Sequence, residues 1–159
     1  MALIIEDGTL VANANSYVTT SELTDYATAR GITITGDEEE LLIRAMDYFE
    51  SLAFIGIKVI HTQALQWPRA NVIIDDYLVE LDTIPSEVIK SQIEIALAID
   101  NGQDPAADVA RSKSKVKVGE LEVTYEPGQS TTIVRKISNS IWKLLVGGVS
   151  GISFLVDRG

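Results

Sequence analysis

Apolar residues recur at helical spacing in three blocks of this chain. In "TTSELTDYATARG" the positions Leu23, Tyr26 and Ala27 share a face with Arg30, Thr19 and Glu22 have capping-box spacing, and Gly31 suits the left-handed residue that ends a helix. In "GDEEELLIRAMDYFESL" an apolar stripe runs through Leu41, Leu42, Ala45, Met46, Phe49 and Leu52. Asp37 caps it, and the acids Asp37 to Glu40 suit the positive end of the helix dipole. The third block, "TIPSEVIKSQIEIALAIDNG", offers Val88, Ile89, Ile93, Ala96, Leu97 and Ile99 as a wide buried face. Thr83 is its expected cap, Pro85 falls in its first turn, and Gly102 ends it.

The intervening pattern is different. "LIIEDGTLVANANSYV" places Asp7-Gly8 between short apolar stretches and predicts extended chain, in the form of a small N-terminal hairpin. Residues 53–82 have no period. They contain QALQWPR, where Pro68 biases Trp67 toward extended backbone. "SKSKVKVGELEVTYEPG" alternates strictly around Gly119-Glu120, which suits a two-residue hairpin turn. That register sets Val118 against Leu121 and Val116 against Val123, with Lys117 facing Glu122 and Lys113 facing Glu126 on the other side. A helical piece is expected through Trp142 and Leu145, followed by a Gly/Ser break and an apolar tail, Ile152, Phe154, Leu155 and Val156, that ends with Arg158. The predicted fold is mainly α: a core of three to four helices, a protruding β-hairpin at about 113–126 and an extended C-terminal tail. The domain covers residues 1–148 and the tail residues 149–159.

Composition narrows the function classes. The 159 residues suffice for one domain with its own core, and no apolar run approaches the roughly 18 residues a membrane span needs. The start "MALIIEDGTLV" lacks the basic region of a secretory signal. Without cysteine there is no disulfide framework and no thiolate metal site. The net charge of −10 is unevenly spread: residues 1–110 carry 5 basic and 19 acidic side chains, residues 111–159 carry 8 and 4. Either the two ends face different partners, or copies meet head to tail with opposite charges in contact, or the chain simply pairs a solvated acidic surface with a basic hairpin. The lysines Lys113, Lys115 and Lys117 are partly neutralised by their partner strand, which weakens them as a nucleic-acid patch.

Candidate chemistry is sparse. His61 stands without a partner triad, none of the phosphate-binding or hydrolase motifs occurs, and Asp75-Asp76 alone is weak support for a hard cation. No enzymatic activity, cofactor or metal is expected. Leu65, Trp67, Pro68 and Arg69 are expected to act as a structural latch. Leu65 and Trp67 would pack the irregular crossing onto the helices, and Arg69 would pair with acidic helix ends or with a neighbouring subunit.

The ordered set "ANSYVTTSELTDYATARG", "LLIRAMDYFESL", "QALQWPR", "IPSEVIKSQIEIALA" and "KVKVGELEVTYE" resembles the phage and prophage family labelled DnaT-like single-stranded-DNA-binding proteins. That family in turn resembles the head-to-tail adaptors of tailed phages. The resemblance covers the chain from about Asn13 to its C-terminus. It implies a virion protein of the neck, assembled in the host cytoplasm. Subunits would form a ring, typically twelve-fold, below the portal protein, bind a downstream neck or tail component, and pass genomic double-stranded DNA through an acidic lumen without sequence-specific contact. It further implies that the segment from about Ile137 to Gly159, with Ile152, Phe154, Leu155, Val156 and Arg158, docks on the portal; Lys117, Gly119, Glu120 and Glu122 shape the hairpin by their turn and register. The alternative expectation is a single-stranded-DNA-binding accessory protein.

Overall fold

A computed structural model describes residues 2–103, 114–118, 121–125 and 141–146. Three helices, α1 (Thr20–Thr28), α2 (Glu38–Glu50) and α3 (Ser86–Asp100), form the core, with α2 and α3 making the most extensive contact. Three two-stranded antiparallel ribbons complete it: β1 (Ile57–Lys58) with β2 (Arg69–Ala70), β3 (Ile73–Ile74) with β4 (Tyr77–Leu78), and β5 (Ser114–Val118) with β6 (Leu121–Tyr125). The mainly α expectation therefore holds.

The first two helices start where their caps dictate. Thr19 accepts from the Glu22 amide at 3.2 Å, and Glu22 returns the bond to the Thr19 amide at 2.8 Å. The Asp37 side chain accepts from the Glu40 amide at 2.9 Å. Each such cap satisfies an amide that the helix leaves without a partner. The third start differs from expectation. Thr83 does not cap α3; Pro85 is the N-cap, at φ −59° and ψ 144°, with no side-chain cap bond. A proline biases the residue before it toward extended backbone, so the helix cannot reach back to Thr83.

The apolar faces read from the sequence meet in one core. Leu23, Ala27, Leu42, Ala45, Met46, Phe49, Val88, Ile93, Ile95 and Ala96 are all buried. Set among them, and not singled out by any sequence pattern, is Gln92. Its Nε2 donates to Ser16 Oγ at 2.7 Å and to the Leu42 carbonyl at 3.3 Å, and its Oε1 accepts from the Tyr17 amide at 2.9 Å. One amide thus ties α3 to α2 and to the chain entering α1, with its hydrogen-bonding capacity well used inside the core.

The N-terminal segment is not a hairpin. Ile5 and Ser16 form a parallel bridge, and the stretch between them wraps around the buried Glu6. The Glu6 carboxylate accepts from the amides of Gly8 (2.8 Å), Leu10 (3.0 Å) and Val11 (2.8 Å). A carboxylate that captures these donors removes them from any hairpin ladder.

The register of β5–β6 matches expectation, with Val118 opposite Leu121, Lys117 opposite Glu122 and Val116 opposite Val123. The turn residues Gly119 and Glu120, the Lys113–Glu126 pair and the tail 147–159 lie outside the described residues, as does the 148/149 domain boundary. Of the helical piece expected through Trp142 and Leu145, the described residues hold Ile141 in α-helix followed by a 3-10 turn, Trp142–Leu144. It leads directly into an antiparallel bridge between Leu145 and Phe54.

Candidate functional site

The crossing from α2 to α3 contains most of the unusual backbone and polar chemistry of the domain. Its anchor is Trp67, fully buried, followed by a cis peptide bond to Pro68. The indole meets the Phe54 ring edge-on at 6.0 Å; Phe54 continues to Phe49 at 4.9 Å, and Phe49 to Tyr17 at 5.8 Å. These spacings are those of favourable aromatic contacts, so the crossing is joined to α2 and to the N-terminal segment by one aromatic row. Leu65 is buried beside it. The Trp67 Nε1 is buried without a hydrogen-bond partner in the structure.

Polar side chains then fix the backbone of the crossing. Gln63 donates through Nε2 to the carbonyls of Leu65 (2.8 Å) and Pro68 (3.0 Å). The Trp67 amide donates to the Tyr17 hydroxyl at 2.9 Å, and the Gln66 amide to Glu50 Oε1 at 2.9 Å. Burial pushes the Glu50 carboxyl up, against the opposing pull of the Gln66 amide and of the Lys58 and Arg69 charges. Burial likewise raises the Tyr17 hydroxyl, and the neighbouring Glu50 charge adds to that effect.

Arg69 departs from expectation. Among the described residues its guanidinium makes no direct pair with a helix-end carboxylate; it collects carbonyls. Nε donates to Ile55 O (2.7 Å), Nη2 to Gly56 O (2.9 Å) and Phe54 O (3.3 Å), and Nη1 to Gln66 Oε1 (2.8 Å) and O (3.3 Å). Five donors in a rigid fork suit this irregular backbone, whose carbonyls have no helix or sheet to satisfy them. Burial lowers the Arg69 pKa, while Tyr17 and Glu50 act in the opposite sense.

Beyond the crossing the chain projects a short arm. Asp75 and Asp76 have φ of 50° and 69°, the positive values required of the two central residues of a type I′ turn. They are turn residues, and Asp75 accepts from Lys143 Nζ at 2.5 Å. Ile74 and Val79 pack against the core, whereas Ile73 (60% exposed), Tyr77 (79%), Leu78 (69%) and Leu81 (57%) face solvent. Ile73 and Leu78 are directly opposite one another in the ribbon. Four large apolar side chains thus face solvent on and just beyond a small projection, a grouping that periodicity could not foretell.

The rest of the described surface is acidic. Residues 2–103 carry five basic and 17 acidic side chains. The cleft between the N-terminal loop and the approach to α3 is rimmed by Glu6, Asp7, Glu22 and Asp82. Such a surface repels phosphate. Among the described residues no group of carboxylates or His61 is placed to hold a metal ion, and no helix is long and apolar enough to cross a membrane. His61 itself is exposed.

Together these features define a small, acidic, mainly helical domain with short projecting ribbons. The chain belongs to the family described as "Putative DnaT-like ssDNA binding protein", whose model matches residues 1–159. No curated protein and no solved structure matches it.

Proposed function

We propose that this chain is an assembly subunit, the head-to-tail adaptor of a tailed phage, which forms a ring beneath the portal and joins it to the next neck or tail component. The observation that carries this reading is the β3–β4 arm, which holds Ile73, Tyr77, Leu78 and Leu81 out of the core on a domain with an ample buried interior. Large apolar side chains grouped on a projection mark surfaces that another protein covers. The acidic surface of residues 2–103 suits a lumen along which duplex DNA slides without adhering. Negative-stain imaging of the protein mixed with portal is the test: rings seated on the tail-side face of the portal are expected, and a persistent monomer without portal affinity overturns the reading.

Membership of the DnaT-like family supports a second reading, binding of single-stranded DNA. On that reading the phosphate contacts fall to residues 111–143, where Arg111, Lys113, Lys115, Lys117, Arg135, Lys136 and Lys143 lie. Anisotropy of a labelled oligo-dT decides it. Binding that weakens steeply as salt rises through the physiological range establishes this second reading, and its absence at low salt removes it.

A further inference from the structure

Residues 141–146 are inserted into the domain as a guest segment. Leu144 O accepts from the Ile55 amide at 2.8 Å, and the Val146 amide donates to Ala53 O at 2.8 Å, on either side of the Phe54–Leu145 bridge. Ile141 and Leu144 are fully buried in the core, while Lys143 reaches the turn of the arm at Asp75. Two buried aliphatic anchors on a helical turn, a pair of main-chain bonds flanking a single antiparallel bridge, and one ion pair make up a complete docking site for this segment. Residues 104–140, 37 in number, separate this segment from the end of the helical core.

We propose that this site is filled in assemblies by residues 141–146 of a second copy, so that each copy donates its segment to a neighbour. Three observations favour the exchange. The 25 residues of 104–113 and 126–140 that flank the β5–β6 hairpin would span about 38 Å even at the helical rise of about 1.5 Å per residue, beyond a domain whose radius of gyration is about 13 Å. The tether therefore does not confine the segment to its own domain. The donor half carries a net +4 from residue 111 onward and the acceptor half a net −14, so copies attract donor to acceptor and repel acceptor from acceptor. Finally, Val146 stays 66% exposed in the filled site, and Lys143 of the same segment reaches the arm whose apolar residues face solvent, a surface that a neighbour held by the exchanged segment would cover. The donated patch and the accepting patch differ, which makes the contact heterologous and able to propagate into a ring.

The chain has no native cysteine, so the exchange can be read by cross-linking. Ala53 and Val146 lie opposite one another across the bridge, and both are exposed, which brings their Cα atoms within disulfide range. Full-length Ala53→Cys and Val146→Cys variants would be refolded together and oxidised. A mixed disulfide dimer well above the level of either homodimer is expected, and the doubly substituted chain should give a ladder of dimers and higher species on a non-reducing gel. Circular dichroism that matches the parent excludes misfolding as the cause of either result. An internally bridged monomer at every protein concentration, with no mixed dimer, overturns the exchange. The inference deepens the assembly reading and rests on it for self-association alone: rings on grids accompanied by internally bridged monomers would sink the exchange and leave the assembly reading intact.

Discussion

Trp67 is the largest fully buried side chain among the described residues. Trp67→Ala is expected to cost about 3–5 kcal/mol, measured by urea unfolding, because the aromatic row from Phe54 to Tyr17 loses its end member and a cavity remains. Glu50 makes a different prediction. Burial raises its pKa above the ordinary 4.5, so the folded state holds the proton more tightly than the unfolded chain does. The sign follows directly: this residue makes its smallest demand on stability below about pH 4.5, and the penalty grows as pH rises from there through the raised folded value. Glu50→Gln keeps an acceptor for the Gln66 amide and removes the charge. Its stability relative to the parent should therefore improve as pH climbs from about 4 to 7, as followed by thermal unfolding across that range. A flat difference across those pH values would show that Lys58 and Arg69 compensate the charge in full.

At the scale of elements, what could be read from the sequence and what could not divide along local and non-local causes. The helices were legible because their caps and periods are written within a few residues, as at Thr19–Glu22 and along Leu41–Phe49. The β5–β6 register was legible for the same reason. The crossing was legible only as irregular. Its conformation depends on Arg69 meeting carbonyls some fifteen residues back and on Trp67 meeting Tyr17 fifty residues away, and pairings of that kind leave no periodic trace. The N-terminal wrap escaped because a carboxylate that gathers amides two to five residues on leaves no periodic trace, and the docking of 141–146 escaped because its partner, Phe54, lies about ninety residues away. The crossing also fixes one glycine. A Cβ on Gly56, at φ 72°, would stand 2.4 Å from Ala70 O and 2.6 Å from Val72 Cγ2. On Gly31, at φ 66°, a Cβ would meet nothing within 4 Å. Gly31→Ala should cost about 1 kcal/mol from backbone conformation alone, and Gly56→Ala clearly more, since β1 and β2 must also part. Comparing the two variants by chemical denaturation separates the steric part from the conformational one.

For the whole molecule, the charge division and the apolar arm carry the predictions about association. Ile73→Lys combined with Leu78→Lys alters side chains that already face solvent, so the melting temperature should stay nearly unchanged. Sedimentation velocity is expected to show self-association of the parent and its loss in the same double variant. A parent and a variant that sediment alike as assemblies would move the contact surface away from the arm. Any binding of single-stranded DNA should be insensitive to this pair and sensitive to Lys115 and Lys117 on β5, which separates the two functional readings by mutation as well as by salt.

The insertion of Ile141 and Leu144 into the core also determines what counts as a folding unit. The unit is discontinuous in the chain: its interior is completed by six residues that begin 41 positions beyond Asp100, the end of α3. A fragment ending near Gln103 would hence be a domain with its last wall missing, prone to expose Phe54 and its neighbours. Conversely, a single proteolytic cut between 104 and 140 should not release the C-terminal piece. The two fragments are expected to elute together from a sizing column and to separate only in denaturant, a nicked protein held by packing alone.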